Sequence, residues 1–378
     1  MIPIARPVLG EAEMAAARSV LESEWLAQGP QVEAFETAFA ELVGAPHACA
    51  VSSCTAALHL ALKAVGVSTG DEVITVSYSF VAAANCIRLC GGEPVFVDIE
   101  GECFNLDPRQ LEGAITRRTR AILCVHQMGM PCDLPAIIAI ARAHGIPVIE
   151  DAACATGAEI RVDGSWERIG RPHGDIACFS FHPRKVITTG EGGMLTTANG
   201  QWDRQFRQGR QHGMDIPAAA RHAAQAVVFE SFPTEGFNYR MTDLQAAIGR
   251  EQLRRLPDII RRRREVAARY RTAFGTEPAV HLPTEPIWAR TNWQSYCVRL
   301  PDHANQRDVM QRLRDRGIAT RPGITCAHRE VPYRDARRMP LPVSEAAQDR
   351  CVLLPLYAQM TAGEQDKVVD AVTEVCRP

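Results

Sequence analysis

Lysine is nearly missing from this sequence. Of its 42 basic residues, only Lys63, Lys185 and Lys367 are lysines. Arginine serves as well as lysine for surface charge, but it cannot give up its proton and attack a carbonyl. Any amine chemistry therefore has three places to reside. Net charge is also lacking: at -2 it gives no electrostatic basis for binding nucleic acid or an anionic membrane. No apolar run is long enough to span a bilayer. The opening Met1-Ile2-Pro3-Ile4-Ala5-Arg6-Pro7 lacks the apolar stretch of a secretory signal. A cytoplasmic protein is the expectation. There are 13 cysteines but no Cys-x-x-Cys pair and no zinc-ligand spacing. They read as small buried hydrophobes in a reducing compartment, with no metal site. Internal repeats and low-complexity tracts are missing as well.

What is present is a soluble globular composition, 46% hydrophobic and 23% charged, in 378 residues. The run Arg261-Arg262-Arg263-Arg264 falls in a helical stretch and reads as a solvated helix face. The informative stretch is residues 174–194. Ile176 to Phe181 is a short apolar run with aromatics, as in a buried strand. Pro183 stops it, and Gly190-Glu191-Gly192-Gly193 forms a turn cluster. Lys185 thus lies just past a strand end, where ligands bind in open α/β sheets. Taken alone, it also reads as an ordinary loop lysine.

Residues 146–151, Ile-Pro-Val-Ile-Glu-Asp, form a second apolar strand that ends in Asp151. An acid and an amine at two strand ends fit two neighbouring βα units. Pyridoxal 5'-phosphate (PLP) requires such a pair. A lysine bonds the cofactor as a Schiff base, and a carboxylate keeps the pyridine nitrogen protonated.

Three motifs in order carry a resemblance: Glu150-Asp151-Ala152-Ala153, then Ser180-Phe181-His182-Pro183-Arg184-Lys185, then Thr189-Gly190-Glu191-Gly192-Gly193. Together they resemble the DegT/DnrJ/StrS family of PLP-dependent sugar aminotransferases. The likeness runs from Gln28-Gly29-Pro30 to Leu354-Pro355-Leu356. It implies an α/β, fold-type-I PLP transferase: a large domain with a mainly parallel seven-stranded sheet flanked by helices, then a smaller α+β domain. The expected division is 1–255 and 256–378, with roughly the first 25 residues able to pack on the small domain.

Ser52-Ser53-Cys54-Thr55 follows a short strand and opens a helix. Small hydroxyl residues there are N-caps by default, and the same geometry binds anions. The resemblance gives Ser53, Cys54 and Thr55 the PLP phosphate, with Cys54 standing where Gly is commoner. Ser77 to Phe80 reads as the beginning of a further helix, and the family stacks the residue matching Phe80 on the PLP ring. Cys154 replaces a commoner Gln or His that reaches the cofactor's phenolic oxygen. The resemblance makes Ser180 a further cofactor contact. Asn238, in Gly236-Phe237-Asn238-Tyr239-Arg240-Met241-Thr242-Asp243, reaches the neighbouring subunit's phosphate in the family. That implies a homodimer with shared sites. Thr242 and Gln245 form a capping box, and Pro257 is a possible kink or break in the helix that follows. Trp25 and His328 lie in regions where the family contacts substrate. His126 either faces the cofactor or merely ends its strand.

The implied reaction is ping-pong transamination, with Lys185 and Asp151 catalytic. An amino acid, L-glutamate by resemblance, is the donor. The acceptor is a keto group on a nucleotide-linked deoxysugar, or alternatively a keto-cyclitol or other small ketone. PLP-dependent sugar dehydratases of the family carry His where this chain has Lys185. Desulfurases and decarboxylases on the same fold lack this motif setting. A non-catalytic regulator would be expected to have lost the lysine or the acid.

Overall fold

A computed structural model of the chain describes residues 1–216, 227, 229–275 and 279–377. The chain opens with helices α1 (Glu11–Glu22) and α2 (Pro30–Val43), then strand β1 (His47–Val51) and helix α3 (Cys54–Ala64). Next come β2 (Glu72–Val76), α4 (Ala82–Leu89), β3 (Glu93–Val97), the short α5 (Leu111–Ala114), β4 (Thr119–Val125), α6 (Leu134–Ala143) and β5 (Val148–Asp151). A hairpin, β6 (Glu159–Val162) and β7 (Ser165–Arg168), precedes β8 (Ile176–Ser180) and β9 (Gly193–Thr197). Helices α7 (Gly200–Gly209) and α8 (Asp243–Phe274) follow.

The main sheet has seven strands in the order β1-β9-β8-β5-β4-β2-β3. β3, β2, β4, β5 and β8 run parallel, while β9 is antiparallel to both β8 and β1. The expected mainly parallel sheet is therefore present. Its strands are buried almost throughout, as a sheet covered on both faces requires. Phe35 and Phe39 of α2 pack edge-on against Phe179 and Phe181 from the lysine strand.

The remaining elements are β10 (Ala289–Arg290), β11 (Tyr296–Arg299), α9 (Gln306–Asp315), β12 (Arg321–Pro322), α10 (Pro342–Arg350), β13 (Cys351–Leu354) and α11 (Ala362–Cys376). β11, β13 and β12 make a separate three-stranded sheet. A second apolar cluster gathers around Tyr270, Tyr296, Val298, Val352, Val368 and Val372. Ile2 packs on that cluster and bridges to Ile318.

Three readings of the sequence change here. The Ser77–Phe80 segment does not begin a helix: α4 starts at Ala82, and Tyr78 instead bridges to Cys326 across the fold. Pro257 does not break α8, which runs unbroken from one apolar cluster to the other. The arginine run is not wholly solvated. Arg263 is buried and donates from Nε to the Trp293 carbonyl at 2.9 Å and from Nη2 to the Gln294 carbonyl at 2.8 Å.

Candidate active site

β5 and β8 are hydrogen-bonded neighbours in parallel, with Asp151 opposite Cys178. The acid and the lysine loop therefore emerge at the same sheet edge. Lys185 is half-buried, its backbone amide turned back on the His182 carbonyl at 2.8 Å. Its Nζ donates to Cys154 Sγ at 3.1 Å. Burial pushes the Lys185 amine down, but the Cys154 sulfur and the Asp151 carboxylate outweigh it, and its pKa lies above the ordinary value.

Asp151 is buried, and Oδ1 accepts the Ala153 amide at 3.0 Å. Burial pushes its carboxyl up, against the opposing pull of that amide and of Lys185. An acid held in this balance gains from a cationic partner at its free oxygen. The Cys54 thiol lies 3.9 Å from Oδ1, so the turn that opens α3 touches the acid directly.

That turn has the form of an anion cradle. Ser53 caps α3, its Oγ accepting the Ala56 amide at 3.1 Å. Among the described residues no acceptor meets the amides of Cys54 and Thr55. Two free N–H groups at the positive end of a helix suit a phosphate. Cys54 needs no glycine conformation, since its φ is not positive. The glycine requirement lies opposite, at Gly193. A Cβ there would fall 2.5 Å from the Ser53 carbonyl carbon and 2.7 Å from the Cys54 amide. The final glycine of the Thr-Gly-Glu-Gly-Gly motif thus lets β9 close against the cradle.

Ser180 ends β8, buried, with its Oγ accepting the His182 amide at 3.4 Å. Phe80 is 70% exposed on the loop after β2, far too open for a core phenylalanine. The Gln127 side chain ties that loop to the one after β4 by donating to the Tyr78 carbonyl. Asn238 is exposed, in an extended segment that bridges to Gln211.

Two candidates take on other roles. His328 is buried, with Nδ1 2.7 Å from Ser77 Oγ and Nε2 3.1 Å from Glu345 Oε1. Both ring nitrogens meet protein groups, so it clamps the base of the Phe80 loop. Trp25 is half-buried, and its Nε1 donates to the Gln28 carbonyl at 3.3 Å. It folds over its own loop. His126 also resolves. Nδ1 accepts the Cys132 amide at 2.9 Å, which leaves the proton on Nε2 to be donated to Glu150 at 3.0 Å. It terminates β4 beneath the site, fully buried.

Sequence reasoning passed over Asp243. Its carboxylate accepts the amides of Gly29, Gln31 and Val32 at 2.8, 3.1 and 3.0 Å, capping α2 from another helix. Only its place within the Thr242–Gln245 signature pointed to it. Asn292 and Gln294 were also passed over. They lie far from every motif in sequence, yet they bond the Cys154 and Arg184 carbonyls.

The chain is 38% identical over 386 residues to the spore coat polysaccharide biosynthesis protein SpsC of Bacillus subtilis, covering 100% of this chain and 97% of that one. The crystal structure of the aminotransferase TlmJ from Streptoalloteichus hindustanus superposes with a TM-score of 0.90 at 34% identity, covering 99% and 98% of the two chains. Helicobacter pylori PseC, an aminotransferase involved in the biosynthesis of pseudoaminic acid, gives 0.92 at 25% identity, with 99% and 98% covered. A sequence profile matches residues 7–373, and this chain belongs to the DegT/DnrJ/EryC1/StrS aminotransferase family.

Proposed function

We propose that this PLP-dependent aminotransferase moves an amino group from L-glutamate to a keto group of a nucleotide-linked deoxysugar. The carrying observation is the lysine amine held on Cys154, three residues past Asp151 at the same sheet edge, with an open anion cradle adjoining the acid. The residues fit the cofactor by donor type. The Cys54 and Thr55 amides suit its phosphate, Asp151 its protonated ring nitrogen, Lys185 its aldehyde, and exposed Phe80 its ring face. When bound, PLP supplies the electron sink. Lys185 takes a proton from the donor's α-carbon and returns it to the product side. Asp151 stays ionised against the ring's positive charge. The sugar-pathway names of SpsC and PseC support the acceptor class.

The test is a set of half-reactions. Loss of the visible band with an amino donor, and its return with a keto acceptor, is followed across a panel of amino acids, keto-sugar nucleotides and keto-cyclitols. Glutamate and a keto-sugar nucleotide are expected to give the highest kcat/KM. Preference for a keto-cyclitol would overturn the acceptor, and preference for glutamine would overturn the donor.

A further inference from the structure

The segment Thr291-Asn292-Trp293-Gln294-Ser295 comes from the C-terminal part of the chain but ends its hydrogen bonds at the catalytic edge of the main sheet. Asn292 Nδ2 donates to the Cys154 carbonyl at 2.8 Å and to the Thr156 carbonyl at 3.0 Å. Its Oδ1 accepts the Gln294 amide at 2.8 Å, which settles the orientation of the side-chain amide. Gln294 Nε2 donates to the Arg184 carbonyl at 2.6 Å, immediately before Lys185. Ser295 N donates to the Met128 carbonyl at 3.3 Å. One short loop therefore reaches the segments that follow β4, β5 and β8.

The loop is itself held from behind. Arg263 grips the Trp293 and Gln294 carbonyls, and Arg264 Nε donates to the Thr291 carbonyl at 3.1 Å. Arg263 is buried and pairs with no carboxylate among the described residues, and burial lowers its pKa to about 10. Trp293 adopts a φ of 52°, a left-handed conformation that a bulky residue rarely takes. Packing against the β4 loop is close: a Cβ on Gly129, itself at φ +91°, would fall 1.9 Å from Asn292 Oδ1. Gln294 Oε1 is buried without a partner among the described residues. An apolar side chain of that shape would avoid the orphaned oxygen, so the donor to Arg184 is the reason for an amide here. A strained backbone, a buried unpaired cation and an orphaned oxygen converge on one loop. Such costs collect where geometry is tightly specified.

What the loop specifies is the contact between Lys185 and Cys154. Asn292 holds the backbone of one partner, and Gln294 holds the residue next to the other. We propose that Asn292 and Gln294 are positioning residues for the catalytic lysine, acting through the backbone of Cys154 and Arg184, with Arg263 as their anchor. This rests on Lys185 being the amine that carries PLP. A misplaced amine costs rate without weakening donor binding, because the proton it moves is transferred only at short range.

The test uses Gln294→Met, which keeps the volume and loses the donor, and Asn292→Asp, which keeps the shape and loses both donated bonds. Gln294→Asn is the conservative comparison. In the purified holoenzyme, kcat is expected to fall about 10-fold or more with the donor KM unchanged. The pH midpoint of the visible band of bound PLP should shift as the amine loses its contact. In protein stripped of PLP, the rate of Lys185 acylation, read by peptide mass spectrometry, should change several-fold without any turnover. A cycle with Cys154→Ala should be non-additive, since both changes remove one arrangement. Gln294→Asn should recover part of each effect. If the variants only lower the melting temperature, and leave the kcat, band midpoint and Lys185 labelling of the wild type, the loop is structural and the proposal is wrong. Should Asn292→Asp fail to fold, Gln294→Met carries the same readouts. Altered labelling of Lys185 in an enzyme that binds no PLP would overturn the functional reading, and with it the catalytic role of the lysine, while the loop's hold on the amine would stand.

Discussion

At the scale of single residues, the proposed chemistry rests on a lysine and an acid whose surroundings favour the charged form of the first and disfavour that of the second. Lys185→Ala removes the amine but leaves β8 and the packing of Phe179 and Phe181 on α2 intact. Transamination is expected to vanish while the melting temperature stays near wild type. Appreciable turnover without added amine would sink the assignment. Asp151→Asn keeps the shape and removes the charge. The Ala153 amide retains an acceptor, so the strand end should survive. What is lost is the ion that burial has already made costly and that a cationic ring partner would stabilise. The loss should fall on proton transfer at the donor's α-carbon, on the order of 10²-fold or more if a few kcal/mol of transition-state stabilisation disappears. Stopped-flow spectra with the amino donor separate binding from conversion. Conversion at the wild-type rate would make Asp151 a structural strand-end residue. The placement of these two residues at one sheet edge was legible because Asp151 ends one apolar run and Lys185 follows another, past Pro183. The partners of His328 were not legible, because a histidine in such a segment looks the same whether its nitrogens face solvent or, as here, Ser77 and Glu345.

At the scale of elements, patterning was informative wherever one face of an element is buried. Phe35 and Phe39 marked α2, and the Thr242–Gln245 box marked the start of α8. Hidden from the sequence were contacts made by charged groups between distant elements. Glu36 of α2 is the clearest example. Its Oε1 accepts the Ala50 amide at 2.8 Å and is paired with Arg210, while Oε2 accepts Arg207 Nη1 at 2.7 Å. The arginines in turn donate to the Ala48 and Ala50 carbonyls, locking β1 against α2 and α7. Burial alone would push the Glu36 carboxyl up. The two arginines overcome this and hold it below its ordinary 4.5. A folded pKa below the unfolded one gives stability that is present above about pH 4.5 and lost as pH falls through the folded value. Glu36→Gln should destabilise the protein by roughly 3–5 kcal/mol at pH 7, because Arg210 is left buried and uncompensated. It should also flatten the acid limb of the stability curve. Urea unfolding at pH 7 and below pH 4.5 checks both points. An unchanged acid limb would show that other carboxylates set it.

At the scale of the whole molecule, we propose a homodimer in which Asn238 serves the partner's site. Phe237 and Tyr239 stack on one another with centroids 5.0 Å apart. Both lie against His59 of α3, at 4.7 and 5.9 Å, and the Tyr239 hydroxyl is 3.1 Å from His59 Nδ1. Successive side chains of an extended segment point to opposite sides. Asn238, between the two aromatics, therefore points away from the His59 side, and it is exposed. The rival arrangement has Asn238 serving its own chain, since the Ser52 amide bonds the Tyr239 carbonyl at 2.8 Å and keeps the segment beside α3. Subunit mixing separates the two. One variant carries Asn238→Ala and the other Lys185→Ala, each expected to be weak or inactive alone. If Asn238 crosses the interface, a mixed dimer holds one site with both residues intact and one with neither. Up to half of the mixed dimer's sites should then regain wild-type kcat, and activity should track the mixed fraction measured by native mass spectrometry. If Asn238 serves its own chain, every site in the mixed dimer lacks one group or the other, and mixing restores nothing. Confirmed exchange without recovery would therefore place Asn238 in its own subunit's site and remove the shared-site dimer from the reading.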